Sequence, residues 1–548
     1  MFTTLRQAMT WLHTWFGLVF GFILMAVFFF GSLSVFDREI DRWAIPETRF
    51  DPQPMPAFDA ILQPAFSALR ANEAEYQAGQ ALVSQPLPPL DALKAAEWGA
   101  YVTHRDPLVS IWAGFDLPHP KDADGHNHVH GWATLDPRNG QPLSPGQLKL
   151  GSEFFYPLHY SLHLHWNHLG YWIVGLAALM MLAALVSGVI IHRKLFAELF
   201  TLRPHKHRQR SLLDAHNLSG VAALPFHFIF ALSGLIIFAG IYLPISDSTL
   251  RPLAKAQEEI KAARTGLPHK PAGVAAPLAS VDTMMAEAKA RWAARGMPGE
   301  VGYLYLNHVG DANGYVSIFR AGSDRVALVG QGIHFAASSG RVLFEEPAPG
   351  AIGGIYDFLV GLHLQHFEHW WLRWLYLFGG LSGCICIATG ILFFVEHRRR
   401  LHGHSALLRG VDALGISSIS GMLLATAAVL VANRALPTAL GHWQEPIFWG
   451  CWLLALVHAR WRSAPQGTLR LAPAWREQCW AIAALAITAV VLNAATTGEH
   501  LGRTLSSGYW PVAGVDLALL AAAGLALVSA RHLSCAPQAV AATEAGHE

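Results

Sequence analysis

A set of long apolar runs limits what this chain can become. Residues 14–36, 169–191, 217–242, 372–395, 411–433, 446–461, 477–497 and 511–530 are each apolar over about 16–26 positions, near the length that crosses a bilayer core. Only 14% of the residues are charged, against about 25% in soluble domains. The fold class that follows is an α-helical integral membrane protein with about eight transmembrane helices. A net charge of +1 gives no electrostatic case for nucleic acid as a partner, whereas membrane lipid is an obligate one. Cys384, Cys386, Cys451, Cys479 and Cys535 all lie in or beside apolar runs, so the polar stretches hold no disulfide framework. There is no CxxCH for covalent haem attachment, no Walker A sequence and no GxGxxG between a strand and a helix.

Short loops set the expected orientation. Residues 192–215 carry Arg193, Lys194, Arg203, Lys206, Arg208 and Arg210, and residues 396–410 carry Arg398, Arg399, Arg400 and Arg409. Residues 459–476 carry Arg460, Arg462, Arg470 and Arg476, while the intervening short loops have only Arg434 and Arg503. The basic loops and both termini are therefore expected in the cytoplasm. The two long polar segments, about 37–158 and 243–358, fall on the opposite side.

The first part of the chain repeats. At an offset of 203, His13, Gly17 and Gly31 match His216, Gly220 and Gly234. At an offset of 200, Gly140, Leu143 and His163 match Gly340, Leu343 and His363; separately, Ser187-Gly188 answers Thr389-Gly390. The expected unit is span, external domain, span, occurring twice, with a site at the repeat interface. Each external segment reads as a small α+β domain. Residues 58–76, 91–98 and 278–296 have helical spacing, whereas 301–344 alternates like strands, and DPRNG (136–140) and ASSG (337–340) read as hairpin turns. The domains so drawn are a first helix in 1–36, an external domain in 37–158, two helices with a basic loop in 159–242, a second external domain in 243–358, a helix in 359–400 and four accessory helices in 411–531.

The run 216–234, HNLSGVAALPFHFIFALSG, carries two histidines where ionisable groups are costly. His216 and His227 are eleven residues apart, about 1100° of rotation, so on a straight helix they share one face about 16 Å apart.

LHTWFG (12–17), HNLSGVAALPFHFIFALSGLIIF (216–238), WLYLFGGLSGCICIATGILFF (374–394) and the two α+β segments resemble the PepSY-associated transmembrane proteins, also described as iron-regulated membrane proteins. The resemblance covers about 1–400, and the last four spans resemble those of the longer members. It implies a multi-pass protein of the bacterial inner membrane with two periplasmic PepSY-like domains. Some members are di-haem reductases of ferric siderophores, so it also implies oxidoreductase activity with two haem b groups. The partners would be a ferric siderophore outside and an unidentified electron donor in the cytoplasm.

Haem b takes axial imidazoles from neighbouring helices at equal depth. The repeat offers His13 with His216 near the cytoplasmic face, and His163 with His363 near the outer face. His227 lies mid-membrane, where Leu24 stands in the first repeat, and is expected to ligate one haem or lie between the two. His159, four residues before His163 and on the same face, is a further candidate. Separately, His126, His128 and His130 in DADGHNHVH would face one way on a strand and could hold an extra metal ion. Two readings from other classes stand beside the electron carrier: a haem-free regulator whose external domains bind peptides or peptidases, and a transporter subunit for iron chelates. No HExxH and no Ser-His-Asp set supports hydrolysis.

Overall fold

The computed structural model describes residues 4–81, 87–117, 128–143, 149–192, 203, 208–242, 265–328, 330–402, 405–463 and 471–535. The chain is mostly helical and divides into two compact units. One comprises Met1–Glu47, Gly146–Tyr242 and His369–Glu548; the other comprises Thr48–Pro145 and Leu243–Glu368.

In chain order the helices used below are α1 (Leu5–Ser34), α2 (Asp37–Ala44), α3 (Tyr156–Tyr160), α4 (Leu169–Ile191), α5 (Arg208–Ala222), α6 (Leu224–Ile237), α7 (Val281–Ala294) and α8 (Ala351–Leu364). They continue with α9 (Trp370–His402), α10 (Ala406–Ile416), α11 (Met422–Ala435), α12 (Gln444–Trp461), α13 (Pro473–Thr497) and α14 (Trp510–Cys535). Six helical stretches among the described residues are long and apolar enough to cross a membrane: Leu5–Ser34, Trp166–Ile191, Trp370–Leu401, Ala406–Ala435, Pro473–Thr497 and Trp510–Ser534. The chain is a multi-pass membrane protein.

Two of the expected eight spans depart from that pattern. The third is broken, with α5 and α6 meeting at 63°. Pro225 sits in the first turn of α6, where it has no N–H to give and its ring crowds the carbonyl four residues back. The straight-helix placement of His216 and His227 on one face therefore fails, because the bend lies between them. The sixth, α12, is apolar only in its middle. Gln444 and Glu445 at one end and His458 and Arg460 at the other leave too short an apolar stretch for a span.

In the membrane unit α1 packs on α4 and α9, and α5 packs on α9. Small residues let these helices approach. Cβ atoms at Gly380 and Gly383 of α9 would collide with Ser32 and Phe28 of α1, and one at Gly379 with Phe226 of α6. The C-terminal helices α10 to α14 form a bundle that joins this core through α1, whose Phe30 meets Phe448 of α12, and through α2, which packs against α14. The joint at α2 is polar. Trp43 of α2 donates its indole N–H to Asp516 of α14 at 2.8 Å, and Asn493 of α13 donates to the same carboxylate at 3.3 Å. Arg434 of α11 lies 5.3 Å from the Trp43 ring centre and bonds the Ala44 carbonyl. Removing an acceptor that buried donors use costs about 1–3 kcal/mol. Asp516→Ala should therefore lower the thermal midpoint of the purified protein, with Asp516→Asn in between. A midpoint equal to wild type would remove this joint from the account of stability.

The other unit holds one seven-stranded antiparallel sheet in the order β3-β2-β1-β4-β5-β6-β7. Its strands are β1 (Ala95–Tyr101), β2 (Val109–Asp116), β3 (His128–Leu135), β4 (Val301–Asn307), β5 (Tyr315–Arg320), β6 (Gly332–Ala336) and β7 (Val342–Glu345). The two polar segments thus share a sheet, joined where β1 pairs with β4. One face packs the apolar sides of Phe58–Ala68 and α7, with Trp98, Phe66, Trp292 and Phe335 enclosed. These two helical segments cap each other. Asp282 accepts from the backbone N–H of Phe58 and Asp59, and Asp59 accepts from Ser280 Oγ and the N–H of Val281. Both expected hairpin turns form, with Gly140 and Gly340 at φ of 72° and 70°, a conformation that favours glycine. The expected helix at 91–98 does not form. Leu90–Ala92 makes one 3-10 turn and β1 begins at Ala95. Packing overrides local propensity there: Trp98 and Ala100 alternate into the core, and Gly99 gives room to Trp112.

Candidate functional site

Three half-buried histidines of the membrane unit are held in the same way. His13 of α1 places Nδ1 2.9 Å from the carbonyl oxygen of Ala184 on α4. His216 of α5 places Nδ1 2.8 Å from the carbonyl oxygen of Cys386 on α9. His159 of α3 places Nδ1 2.8 Å from the carbonyl oxygen of Val27 on α1. A carbonyl only accepts, so each Nδ1 carries a proton, which in the neutral ring leaves Nε2 its lone pair. This is the arrangement in which a ligating histidine is oriented by its second nitrogen.

Each accepting carbonyl stands four residues before a glycine that lies against the imidazole. A Cβ at Gly188 would sit 3.2 Å from His13 Cε1, one at Gly390 3.1 Å from His216 Nδ1, and one at Gly31 2.7 Å from His159 Nδ1. One helical turn separates carbonyl and glycine, so both face the same ring. The missing side chain is the slot in which the ring stands. In two of the three cases a hydroxyl joins the same carbonyl: Ser187 Oγ donates to Ala184 O at 3.0 Å, and Thr389 Oγ1 to Cys386 O at 3.0 Å. The Cys386 sulfur also lies 3.5 Å from His216 Nδ1, and Ser187 Oγ lies 3.4 Å from His13 Nδ1.

His13 and His216 come together. Each stands eight residues after the first residue of its helix, and their ring centres are 6.0 Å apart at an interplanar angle of 80°. A metal bound by two imidazoles at about 2 Å each puts the ring centres about 6 Å apart. The separation would therefore let both imidazoles reach one metal centre.

The other expected ligands are placed differently. His227 is 2% exposed, on α6 beyond the bend, and Nε2 donates to Gly379 O at 3.2 Å. Its ring meets the edges of Phe28 and Phe226 at 5.3 and 5.9 Å. His163 lies in the turn after α3 at φ 55°, where Nε2 donates to Phe154 O at 2.8 Å and the ring stacks on Phe154. Burial holds its pKa below the ordinary histidine value. In both, the nitrogen that the three slotted histidines leave free is already protonated and bonded. His363 lies on α8 and belongs to the other unit.

His126 is outside the described residues, as are Asp122 and Asp124. His128 and His130 do share a face of β3, with ring centres 6.5 Å apart. Each faces its own carboxylate, Asp116 at 2.7 Å and Glu75 at 3.4 Å. Among the described residues no group of three or more His, Cys, Asp or Glu side chains has the geometry to hold a metal ion.

Sequence reasoning misses the slot glycines and the accepting carbonyls. The Ser-Gly and Thr-Gly pairs stand out as marks of the repeat, and their spacing to a histidine on another helix is the signal that could have found them.

Residues 10–397 match the family of the PepSY-associated TM region. An uncharacterized protein of Pseudomonas aeruginosa is 26% identical over 367 residues, covering 64% of this chain and 86% of that protein. The family match includes His13, His159 and His216 with all three slot glycines. The chain belongs to the PepSY-associated transmembrane family.

Proposed function

We propose that the chain is a di-haem b-type electron-transfer protein of the bacterial inner membrane, which reduces a ferric siderophore in the periplasm with electrons from the cytoplasmic side. The observation that carries this reading is the pair His13 and His216, each with Nδ1 tied to a helix carbonyl and a glycine slot, at 6.0 Å between ring centres. These two would hold the inner haem, and His159 would supply a ligand to the outer one. A bound haem supplies reversible one-electron transfer, with a potential tuned by its ligands and their hydrogen bonds.

The chain's own residues do the positioning. The carbonyls of Ala184, Cys386 and Val27 hold each imidazole in the tautomer that leaves Nε2 free to bind iron. Helices α1, α4, α5 and α9 pack around the pair, and Ser187 Oγ and the Cys386 sulfur each add a polar contact to Nδ1 of one ring, at 3.4 and 3.5 Å. Duplication of the span–domain–span unit is supported by α1 packing on α4 as α5 packs on α9, by the matched hydroxyl–carbonyl–glycine sets, and by the reciprocal Asp59 and Asp282 caps. The basic ends of the spans favour a cytoplasmic location for the N-terminus. Reduction of the substrate to Fe(II) weakens its hold by hard oxygen donors and releases the iron.

The first test is the visible spectrum of the purified protein, oxidised and dithionite-reduced, with pyridine haemochrome quantitation. The expected result is a six-coordinate b-type spectrum with about two haems per chain, reoxidised on addition of a ferric siderophore. Protein made with ample haem that shows no Soret band would sink the reading and leave a haem-free peptide-binding regulator ahead.

A further inference from the structure

The face of the sheet opposite the helices carries a band of aromatic rings. Cross-strand partners lie on one face, and the register places Trp132, Trp112, Gly99, Tyr305, Ser317 and His334 in a single row from β3 to β6. Gly99 keeps the row flat. A Cβ there would lie 2.1 Å from Trp112 Nε1, so only glycine lets the indole cross β1 and stack on Tyr305, at 5.7 Å and 28°. The adjoining row adds Tyr101 and Tyr303. The band is open at the β3–β4 end, where Trp132 is 56% exposed and Tyr101 39%, and closes toward Ser317 and His334, which are buried.

The polar tips of this band are already engaged. Asn307 donates to the hydroxyls of Tyr305 and Tyr315 at 3.3 and 3.0 Å. Burial and the adjacent Glu97 carboxylate hold the Tyr305 phenol well above its usual pKa, so it stays neutral and bonded to that carboxylate. Glu97 stands in the middle of the rings, lying over Gly114, and has no Lys or Arg partner among the described residues. The strand positions sharing this face carry Glu97 and Asp116 and neither Lys nor Arg. What remains for a ligand is a set of ring faces, negative at their centres, beside a carboxylate with no Lys or Arg partner among the described residues.

We propose that the open sheet face is a binding site for an organic cation, its ammonium or guanidinium group seated over Trp112 and Tyr305 beside Glu97. Charge complementarity selects this occupant: ring quadrupoles and a carboxylate attract a cation and repel an anion. The site stands on the sheet unit alone and does not depend on haem binding.

The test is calorimetric titration of the full chain in nanodiscs with phenyltrimethylammonium, and separately with benzoate, which has a similar ring and the opposite charge. The cation should bind at least about tenfold more tightly than benzoate, with the difference shrinking as salt rises. Glu97→Gln, which keeps an acceptor for Tyr305, and Trp112→Leu should each weaken the cation about five- to tenfold. Since Trp112→Leu disturbs packing over Gly99, Glu97→Gln is the deciding variant. Equal affinity for the two probes, or cation binding unaltered in Glu97→Gln, would overturn the proposal.

Discussion

His216→Ala should reduce the low-spin haem of the purified protein from about two per chain to about one, and His13→Ala should do the same. The two rings are 6.0 Å apart, close enough that both imidazoles would hold one iron. The double variant should therefore lose no more than either single one, because residues acting as a unit are not additive. Haemochrome quantitation gives the stoichiometry, and electron paramagnetic resonance separates low-spin from high-spin iron where a haem stays bound by one ligand. Two outcomes would break the assignment. Retention of two low-spin haems in His216→Ala would mean that His216 is no ligand. Loss of both haems in the double variant, with one lost in each single, would mean that each histidine serves a different haem.

That pairing is legible in the sequence alone, and the reason is simple. The matches at an offset of 203 carry their own register, which puts His13 and His216 at corresponding positions without knowledge of the packing. The outer histidines are harder. His159 and His163 are four apart in one polar-aromatic segment, and helical spacing cannot choose between them. The fold separates them through a turn at Leu162 and His163, both at positive φ, which carries the second ring away and leaves the first against Val27. Such a turn of non-glycine residues has no local signature. Pro225 is plain in the sequence, yet an apolar run long enough to span masks the break it causes; the pair α5 and α6 bends at 63° all the same. The sheet shows a similar limit. Alternation locates β2 and β4 to β6, but the pairing of β1 with β4, which joins the two polar segments, links residues about 200 positions apart and is set by packing alone.

Gly31→Ala should cost the protein its outer haem while leaving the inner one in place. In an exposed helix, replacing glycine with alanine gains about 1 kcal/mol of propensity, so absent any neighbour the change would stabilise α1. The neighbour reverses the sign. The new methyl would stand 2.7 Å from His159 Nδ1 and 2.8 Å from Cε1, and the ring cannot retreat without giving up the Val27 carbonyl. Disturbing the partner that orients a ligating histidine typically costs about 10–100-fold in metal affinity, and overpacking adds about 1–3 kcal/mol. The effect should be graded: at Gly390 and Gly188 the added carbon lies at 3.1 and 3.2 Å from its histidine, so those alanine variants should keep haem but shift the inner potential. Gly17, where an added Cβ meets nothing within 4 Å, is the built-in control and should match wild type. Redox titration resolves the two haems, and their stoichiometry follows from the same samples. If Gly31→Ala and Gly17→Ala both retain two haems at wild-type potentials, His159 does not ligate from this slot, and the outer centre must draw its ligands from elsewhere in the chain.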